Sequence, residues 1–340
     1  PPEKRRVESL SHGCITVSQF RAAVGLVNCH LQTILPTFVG RATLPQVSHE
    51  RLELEDGDYL QLTWNRLDGT GALRISSGTL LLMHGLEGSW RSPYARHLLA
   101  TAASRGLRAC VVHFRGCGDS ANRLDRSYHS GDTQDLRQVI AHVRACFPSE
   151  PIYVAGYSLG GNVLLKLLGE DGVASPVRAA VAVSVPMVLG ESAHRLNRGF
   201  SRFYQWWFLR TLKAKVLKKF AGRTRPPICL ERVRRARTMA DFDDAATAPL
   251  HGFRDAEHYY ALSSSRQYLR QVARPTLIIQ ARDDPFMTNR TLPSAPELAP
   301  SITLELAERG GHVGYVAARD RGGARWLARR IMDWFDQHQA

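Results

Sequence analysis

The stretch "PIYVAGYSLGGNVLLKLLG", residues 151–169, joins an apolar, strand-like run directly to an apolar helical pattern. Ser158 lies at the junction, in the sequence Gly-Tyr-Ser-Leu-Gly of residues 156–160. This G-x-S-x-G pattern is typical of a sharp strand-to-helix turn that exposes a nucleophilic serine. We expect larger side chains at the two glycine positions to collide with the surrounding backbone. The turn also places the hydroxyl at a helix N-terminus, where backbone N–H groups favour developing negative charge.

Short apolar runs alternate with helical patterns along most of the chain. Continuous apolar strands that alternate with helices predict an α/β fold, with a mostly parallel sheet covered by helices on both faces. A final helix is predicted at about 321–337. The predicted strands are a hairpin at 51–66 and single strands at 79–85, 108–118, 152–156, 177–186, 275–285 and 301–312.

The alternation is interrupted after the sixth predicted strand by a helical, basic segment. We therefore divide the chain into an N-terminal arm (1–50), a first part of the core (51–186), a helical basic lid (187–262) and a second part of the core (263–340). An insertion at this point is expected over the carboxyl ends of the strands, where open α/β sheets bind their ligands.

The positive charge of the chain is concentrated in the predicted lid. Residues 195–240 contain fourteen Lys or Arg and one acid, Glu231, while the net charge of the whole chain is +14. Within this segment, residues 199–220 mix aromatic and basic side chains, which favours peripheral contact with an anionic membrane. In the alternative arrangement, Trp206, Trp207 and Phe208 pack on the mouth of the site. No nucleic-acid recognition motif accompanies the basic run, so we expect no nucleic-acid partner.

The composition is that of an ordinary globular protein, with 44% apolar and 22% charged residues. None of the six cysteines forms a C-x-x-C pair, so we expect neither a metal site nor a disulfide framework. No apolar run approaches the roughly 18 to 20 residues that span a bilayer. The first residues, Pro-Pro-Glu-Lys-Arg-Arg, are not followed by an apolar stretch typical of a secretory signal. We therefore expect a cytoplasmic protein, with contact at the inner membrane surface through the lid.

A serine becomes an effective nucleophile when a base takes its proton and an acid orients that base. In the chain order Ser, Asp, His, His312 is favoured, because it lies in the glycine-flanked turn "ERGGHVGY" directly after a predicted strand. Asp283 and Asp284 follow the strand "TLIIQA" and, as neighbours, point in opposite directions. We favour Asp284 as the acid because Pro285 puts it at the turn, and assign Asp283 to capping that turn.

An acyl-transfer site also needs two N–H donors for the oxyanion of its tetrahedral intermediate. One donor is expected from Leu159, the residue after the nucleophile. The other is expected from Leu86, in the loop "MHGLEG" after an early strand, with His84 supporting that loop. No metal or organic cofactor is required for this chemistry.

Further motifs extend the pattern over nearly the whole chain, and with them the sequence resembles the YheT-like branch of the α/β hydrolases. That branch includes bacterial hydrolases, yeast medium-chain ester synthases and esterases, and mammalian membrane phospholipid hydrolases. The resemblance implies a triad of Ser158, Asp284 and His312. Cys29 replaces the usual proline of the N-terminal signature, which lies outside the triad. The motifs that carry the resemblance are "NCHLQTILP" (28–36), "LLMHGLEGS", "HFRGCG", "GYSLGGN", "GFSRFYQ", "DFDD", "HGF", "TLIIQARDDPF" and "GGHVG".

The resemblance implies hydrolysis of carboxylic esters with short- to medium-chain acyl groups, from small-molecule or lipid substrates. Some relatives transfer the acyl group to an alcohol, but the H-x-x-x-x-D motif of some acyltransferases is absent, so water is the preferred acceptor. The same site would serve an amidase or a thioesterase. The alternative from another class is a non-catalytic hydrolase fold that acts as a membrane-surface or partner-binding module.

Overall fold

The computed structural model describes residues 12–38, 46–65, 77–318 and 325–339. The first eleven residues of the predicted N-terminal arm lie outside the described part of the chain, and so do its residues 39–45. The predicted beginning of the final helix, at 321–324, lies outside it as well.

Nine strands form one sheet, in the order β1-β9-β8-β7-β6-β4-β5-β3-β2. They are β1 (Cys14–Val17), β2 (Val47–Glu53), β3 (Tyr59–Asn65), β4 (Thr79–Met83), β5 (Arg108–Val112), β6 (Ile152–Tyr157), β7 (Val177–Val183), β8 (Thr276–Ala281) and β9 (Ile302–Ala307). The strands from β1 across to β5 pair in parallel. Strand β3 pairs antiparallel with both β5 and β2. The predicted, mostly parallel sheet is therefore confirmed.

The central strands are apolar along their whole length because both of their faces are covered. Every residue of β4, β5 and β6 is buried, the pattern expected of parallel strands between two layers of helices. In the register of the sheet, Met83 pairs with Gly156, and Tyr157 pairs with Val183. Strands β4, β6 and β7 therefore end at the same edge, where the residues that follow them meet.

Helices cover both faces of the sheet. The long helices α2 and α11 pack on one face, and α3 and α4 pack on the other. In the described residues the α-helices are α1 (Cys29–Ile34), α2 (Pro93–Ser104), α3 (Gln134–Cys146), α4 (Leu159–Asp171), α5 (Leu189–Leu196), α6 (Ser201–Lys219), α7 (Leu230–Arg235), α8 (Met239–Phe242), α9 (Ala248–Leu250), α10 (Ala256–Ser263) and α11 (Arg325–Asp336).

The insertion follows β7, the strand predicted at 177–186, which is the seventh strand of the structure because the sequence analysis missed one strand. The additional strand is β1, whose four residues pair in parallel with β9 at the edge of the sheet. All four of its residues are exposed, so burial against the core does not order this short strand. This strand is ordered by its pairing with β9, which lies almost 290 residues later in the chain.

Helices α5 to α10 lie between β7 and β8 and form the helical insertion, residues 184–275. The insertion has its own apolar cluster, built mainly from α6, α7 and the segment from α8 to Ala246. Side chains from α6 and α8 line the same cavity as Ser158. The domain boundaries predicted at 187 and 262 stay a prediction.

Candidate active site

Ser158 lies between the last residue of β6 and the first residue of α4. Its backbone has φ 51° and ψ −118°, a left-handed conformation that residues other than glycine adopt only when their surroundings hold them in it. The Ser158 N–H donates to the carbonyl of Val183 at 2.8 Å, which ties the turn to β7. The turn therefore presents the hydroxyl at the N-terminus of α4, at the carboxyl edge of the sheet.

The glycines around Ser158 are required by the close approach of the backbone. A Cβ on Gly156 would lie 2.6 Å from the carbonyl oxygen of Gly160. A Cβ on Gly160 would lie 2.5 Å from the oxygen of Met83 and 2.6 Å from that of His84. These contacts are with backbone atoms, which cannot rotate away, so the strand-to-helix turn and the end of β4 pack together only with glycine at both positions.

The structure brings together the three residues predicted as nucleophile, base and acid. His312 Nε2 lies 2.9 Å from Ser158 Oγ, and His312 Nδ1 lies 2.8 Å from Asp284 Oδ2. A carboxylate only accepts hydrogen bonds, so Nδ1 carries the proton and Nε2 is free to accept from the serine hydroxyl. Asp284 and His312 are both buried, with relative exposures of 4% and 9%. Asp284 Oδ1 also accepts from the N–H of Phe286 at 2.8 Å.

Asp283 points away from the histidine ring and supports the turn that carries it. Its Oδ1 accepts from the N–H of Gly311 at 3.0 Å, one residue before His312. Burial raises the pKa of Asp283, and the neighbouring Asp284 carboxylate raises it further. The hydrogen bond from the Gly311 N–H lowers this pKa but does not cancel the increase. The two adjacent aspartates thus make different contacts, as the alternation of strand side chains predicts.

The N-terminal signature supports the His312 turn, a role that the sequence analysis missed. Thr33 Oγ1 accepts from the N–H of His312 at 2.9 Å. The buried Gln32 accepts from the N–H of Val316 at 2.7 Å and donates to its carbonyl at 3.2 Å. A Cβ on Gly311 would lie 2.5 Å from the carbonyl oxygen of Cys29. The only sequence signal for these contacts was the match of "NCHLQTILP" to a family signature, which does not identify a partner.

The two predicted oxyanion donors, Leu86 and Leu159, line the cavity that contains Ser158 and His312. Neither of their backbone N–H groups donates to another group within the described part of the chain. The loop that joins β4 to Leu86 is held by the Tyr94 hydroxyl, which accepts from the Gly85 N–H at 2.9 Å. Both N–H groups are therefore free to donate to an oxyanion in the cavity.

His84 supports the same loop from beneath. Its Nδ1 donates to the carbonyl of Gly85 at 2.7 Å, and its Nε2 accepts from the N–H of Phe114 at 3.2 Å. Burial lowers the pKa of His84 to about 3, which keeps the ring neutral and able to accept at Nε2. Its contacts are those of a structural histidine.

A cavity of about 1270 Å³ opens above Ser158 and extends under the helical insertion. Apolar side chains from both parts of the molecule line it, among them Phe208 and Leu212 of the insertion and Ile34 and Phe286 outside it. Phe286 stacks on the His312 ring, with the ring centroids 4.0 Å apart and the planes 16° from parallel. The cavity exceeds the roughly 300 to 1,000 Å³ of a drug-sized site, so it has room for an acyl chain.

The aromatic side chains of α6 divide between the cavity and the surface. Phe208 is partly buried and makes an edge contact with Phe286, with 5.7 Å between centroids. Trp206 and Trp207 instead have relative exposures of 53% and 55%. Phe208 therefore packs inside the site as that alternative has it, whereas both tryptophans stay more than half exposed although Trp207 also lines the cavity. Within the described ranges, no helix combines the length and apolar character needed to cross a membrane.

Comparison with known proteins identifies the family. A family model described as alpha/beta hydrolase fold matches residues 78–317. The chain is 41% identical over 318 residues to "Putative esterase YheT" of Escherichia coli (strain K12), a match that covers 93% of each chain. It is 29% identical over 288 residues to phospholipase ABHD3 of Mus musculus, covering 84% of this chain and 70% of that protein.

Among solved structures, the Pyrococcus furiosus esterase Pf2001 matches 90% of this chain and 99% of its own, with a TM-score of 0.58. At 18% sequence identity, this is a likeness of fold alone. The family assignment rests on the family model over residues 78–317 and on the 41% identity to the Escherichia coli protein. The chain therefore belongs to the α/β-hydrolase fold family, in its YheT-like branch.

Proposed function

We propose that the protein is a serine hydrolase that cleaves carboxylic esters through an acyl-enzyme on Ser158. The observation that carries the proposal is the continuous hydrogen-bonded chain from Ser158 Oγ through His312 to Asp284, inside a large, mainly apolar cavity. Nucleophile, base and orienting acid lie within hydrogen-bond distance of one another, which is the arrangement that acyl transfer requires.

In the proposed reaction, His312 Nε2 takes the proton of Ser158 as its oxygen attacks the ester carbonyl. Asp284 keeps the histidine in the required tautomer and stabilises the imidazolium that forms. The N–H groups of Leu86 and Leu159 would donate to the oxyanion, and the positive end of α4 would add to this stabilisation. His312 then returns the proton to the leaving alcohol, and a water deprotonated by His312 releases the acid.

Short- to medium-chain acyl esters, from small molecules or lipids, are the substrates that we propose. The apolar lining of the cavity suits an acyl chain, and the similar mouse protein is named a phospholipase. Transfer to an alcohol instead of water is the second candidate, because a similar yeast protein is named an ethyl ester synthase/esterase. A non-catalytic binding module would have no need of all three hydrogen-bonded residues.

The wild-type protein is expected to hydrolyse p-nitrophenyl esters with an optimum between butyrate and decanoate, in a series from acetate to palmitate. A fluorophosphonate should stop the turnover and label Ser158, as seen by mass spectrometry of the tryptic peptide. Ester formation in the presence of ethanol would instead favour the acyltransferase. No turnover at any chain length would contradict the proposed ester hydrolysis, and an unlabelled Ser158 would contradict the proposed nucleophile.

We also propose that the protein is cytoplasmic and makes peripheral contact with an anionic membrane through residues 199–220. The support comes from four neighbouring rings on α6 and the residue before it, each 49% to 55% exposed: Phe200, Phe203, Trp206 and Trp207. Successive rings in this group lie 5.6, 5.9 and 6.3 Å apart. Two of them, Phe203 and Trp207, also line the cavity, so a docked surface would lie at its mouth.

Basic side chains flank this aromatic surface. Arg202, Arg210 and Lys218 are exposed on α6, and the Arg210 guanidinium lies 5.8 Å from the Trp206 ring. Aromatic rings favour the depth of lipid headgroups, while cations beside them favour anionic phosphates. A lipid ester would thus meet the cavity mouth at the membrane surface.

The variant Trp206→Ser/Trp207→Ser is expected to bind phosphatidylglycerol-containing vesicles at least tenfold more weakly than the wild type. The variant lacks two half-exposed indoles, whose transfer from water to the lipid headgroups favours binding in the wild type. Sedimentation with vesicles measures the effect. Val173→Ser, which changes a side chain that is 84% exposed and lies outside the insertion, is the control. Equal binding of wild type and double variant, or wild-type binding unchanged between 0.05 and 0.5 M salt, would contradict the contact.

A further inference from the structure

The loop that carries Leu86 is held in a strained conformation at its next residue. Glu87 has φ +54°, a left-handed conformation that is unfavourable for a residue with a Cβ. Tyr128 contacts it twice: its hydroxyl accepts from the Glu87 N–H at 3.0 Å and donates to Glu87 Oε1 at 2.8 Å. The side chain of Glu87 is only 10% exposed. Side-chain contacts therefore determine the orientation of the peptide groups around Leu86.

A third contact to Glu87 comes from the helical insertion. Lys215 Nζ, on α6, donates to Glu87 Oε1 at 2.7 Å and to Cys117 Sγ at 3.4 Å. Burial lowers the pKa of Lys215, but the neighbouring Cys117 and Glu87 raise it by more, so the ammonium stays charged. The thiol of Cys117 stays protonated, since burial, with Glu87 adding to the effect, raises its pKa to about 12. Lys215 and Glu87 thus form a partly buried ion pair between α6 and the loop.

The same face of α6 reaches both sides of the site. Phe208 precedes Lys215 by two helical turns and contacts Phe286, which stacks on His312. The side chain of Leu86 also packs against the apolar cluster of the insertion. Helix α6 is therefore linked to His312 through Phe286, and to the proposed oxyanion donor Leu86 through Glu87.

We infer that Lys215 is a positioning residue: through Glu87 it orients the Leu86 N–H, so that the seating of α6 sets the stabilisation of the oxyanion. This inference rests on the proposed ester hydrolysis. It makes the helical insertion a part of the catalytic unit as well as a cover for the cavity. Complete removal of an oxyanion donor lowers kcat about 10²- to 10³-fold. Displacement of the donor should therefore lower kcat by a smaller factor.

The test compares Lys215→Met with Lys215→Arg, and adds Glu87→Gln as a second route to the same loss. We expect Lys215→Met and Glu87→Gln to lower kcat for p-nitrophenyl butyrate about 30-fold, with KM within threefold of wild type. Labelling of Ser158 by a fluorophosphonate should slow in parallel, because that reaction also develops charge on the phosphoryl oxygen. Lys215→Arg, which keeps the charge and a donor, should stay within about fivefold of wild type.

Lys213→Met is the matched control, since Lys213 is on the same helix and donates to the carbonyl of Ala236, away from the loop. Thermal melting reports folding, and Glu87→Gln decides the matter if Lys215→Met does not fold. Wild-type kcat and labelling in these variants, or a change confined to KM, would overturn the inference. If the wild type is labelled but cleaves no ester, the proposed function fails while the labelling rates still test Lys215. A wild type that is inert in both assays would overturn both proposals.

Discussion

Ser158→Ala is expected to lower kcat for ester hydrolysis about a millionfold, the scale of losing the nucleophile of a serine hydrolase. The substitution removes only the hydroxyl that lies 2.9 Å from His312 Nε2. Alanine has the same Cβ in the same strained conformation, so folding should be unaffected and the melting temperature should change little. Steady-state turnover of p-nitrophenyl butyrate, with the purified variant at high concentration, measures the loss.

Ser184→Ala is the matched control for this experiment. Ser184 directly follows the neighbouring strand β7 and has the same φ of 51°, and its hydroxyl accepts from the N–H of Val313 at 3.0 Å. It has no bond to the His312 ring, so its removal should change kcat by less than tenfold. More than about 1% of wild-type activity in Ser158→Ala would mean that another residue is the nucleophile.

The parts of the site that could be predicted from the sequence are those set by local geometry. A serine between an apolar strand and an apolar helix, with glycine two residues to either side, has one compact solution, because a Cβ at Gly156 or Gly160 would meet backbone atoms. The parallel sheet follows from apolar runs such as β4 and β6, which need cover on both faces. The positions of Asp284 and His312 at strand ends follow from the same sheet.

The parts that could not be predicted depend on contacts between distant segments. Gln32 bonds to the backbone of Val316 across 284 residues, and Lys215 bonds to Glu87 across 128. In each case the side chain is of a common type, and nothing local distinguishes it from a solvated one. Strand β1 was missed for the same reason, since its exposed residues are ordered by β9 alone.

Exposure on α6 is a second property that the sequence left open. Aromatic and basic residues alternate along residues 199–220, and no helical face is clearly apolar. Packing against Phe286 selects Phe208 for the interior, while Trp206 and Trp207 remain outside. The choice depends on where β8 ends, because Phe286 follows that strand.

Asp284→Asn is expected to lower kcat about 10⁴-fold at pH 8, while Asp283→Asn should lower it by less than tenfold. An amide at position 284 can donate to Nδ1 of His312, which stabilises the tautomer with its proton on Nε2, where the serine proton must go. At position 283, an asparagine Oδ1 can still accept from the Gly311 N–H, as the carboxylate does at 3.0 Å. The two variants are isosteric with the wild type and change adjacent residues.

Turnover of p-nitrophenyl butyrate by the two variants therefore separates the orienting acid from its neighbour. The contrast tests the tautomer argument in particular, because both substitutions remove one negative charge near His312, a buried one at Asp284 and a partly buried one at Asp283. If loss of charge alone were responsible, Asp283→Asn would fall as far as Asp284→Asn. If only Asp283→Asn lost activity, the assignment of the acid would be reversed. The hydrogen bond from His312 Nδ1 to Asp284 Oδ2 at 2.8 Å predicts that only the substitution of Asp284 lowers kcat about 10⁴-fold.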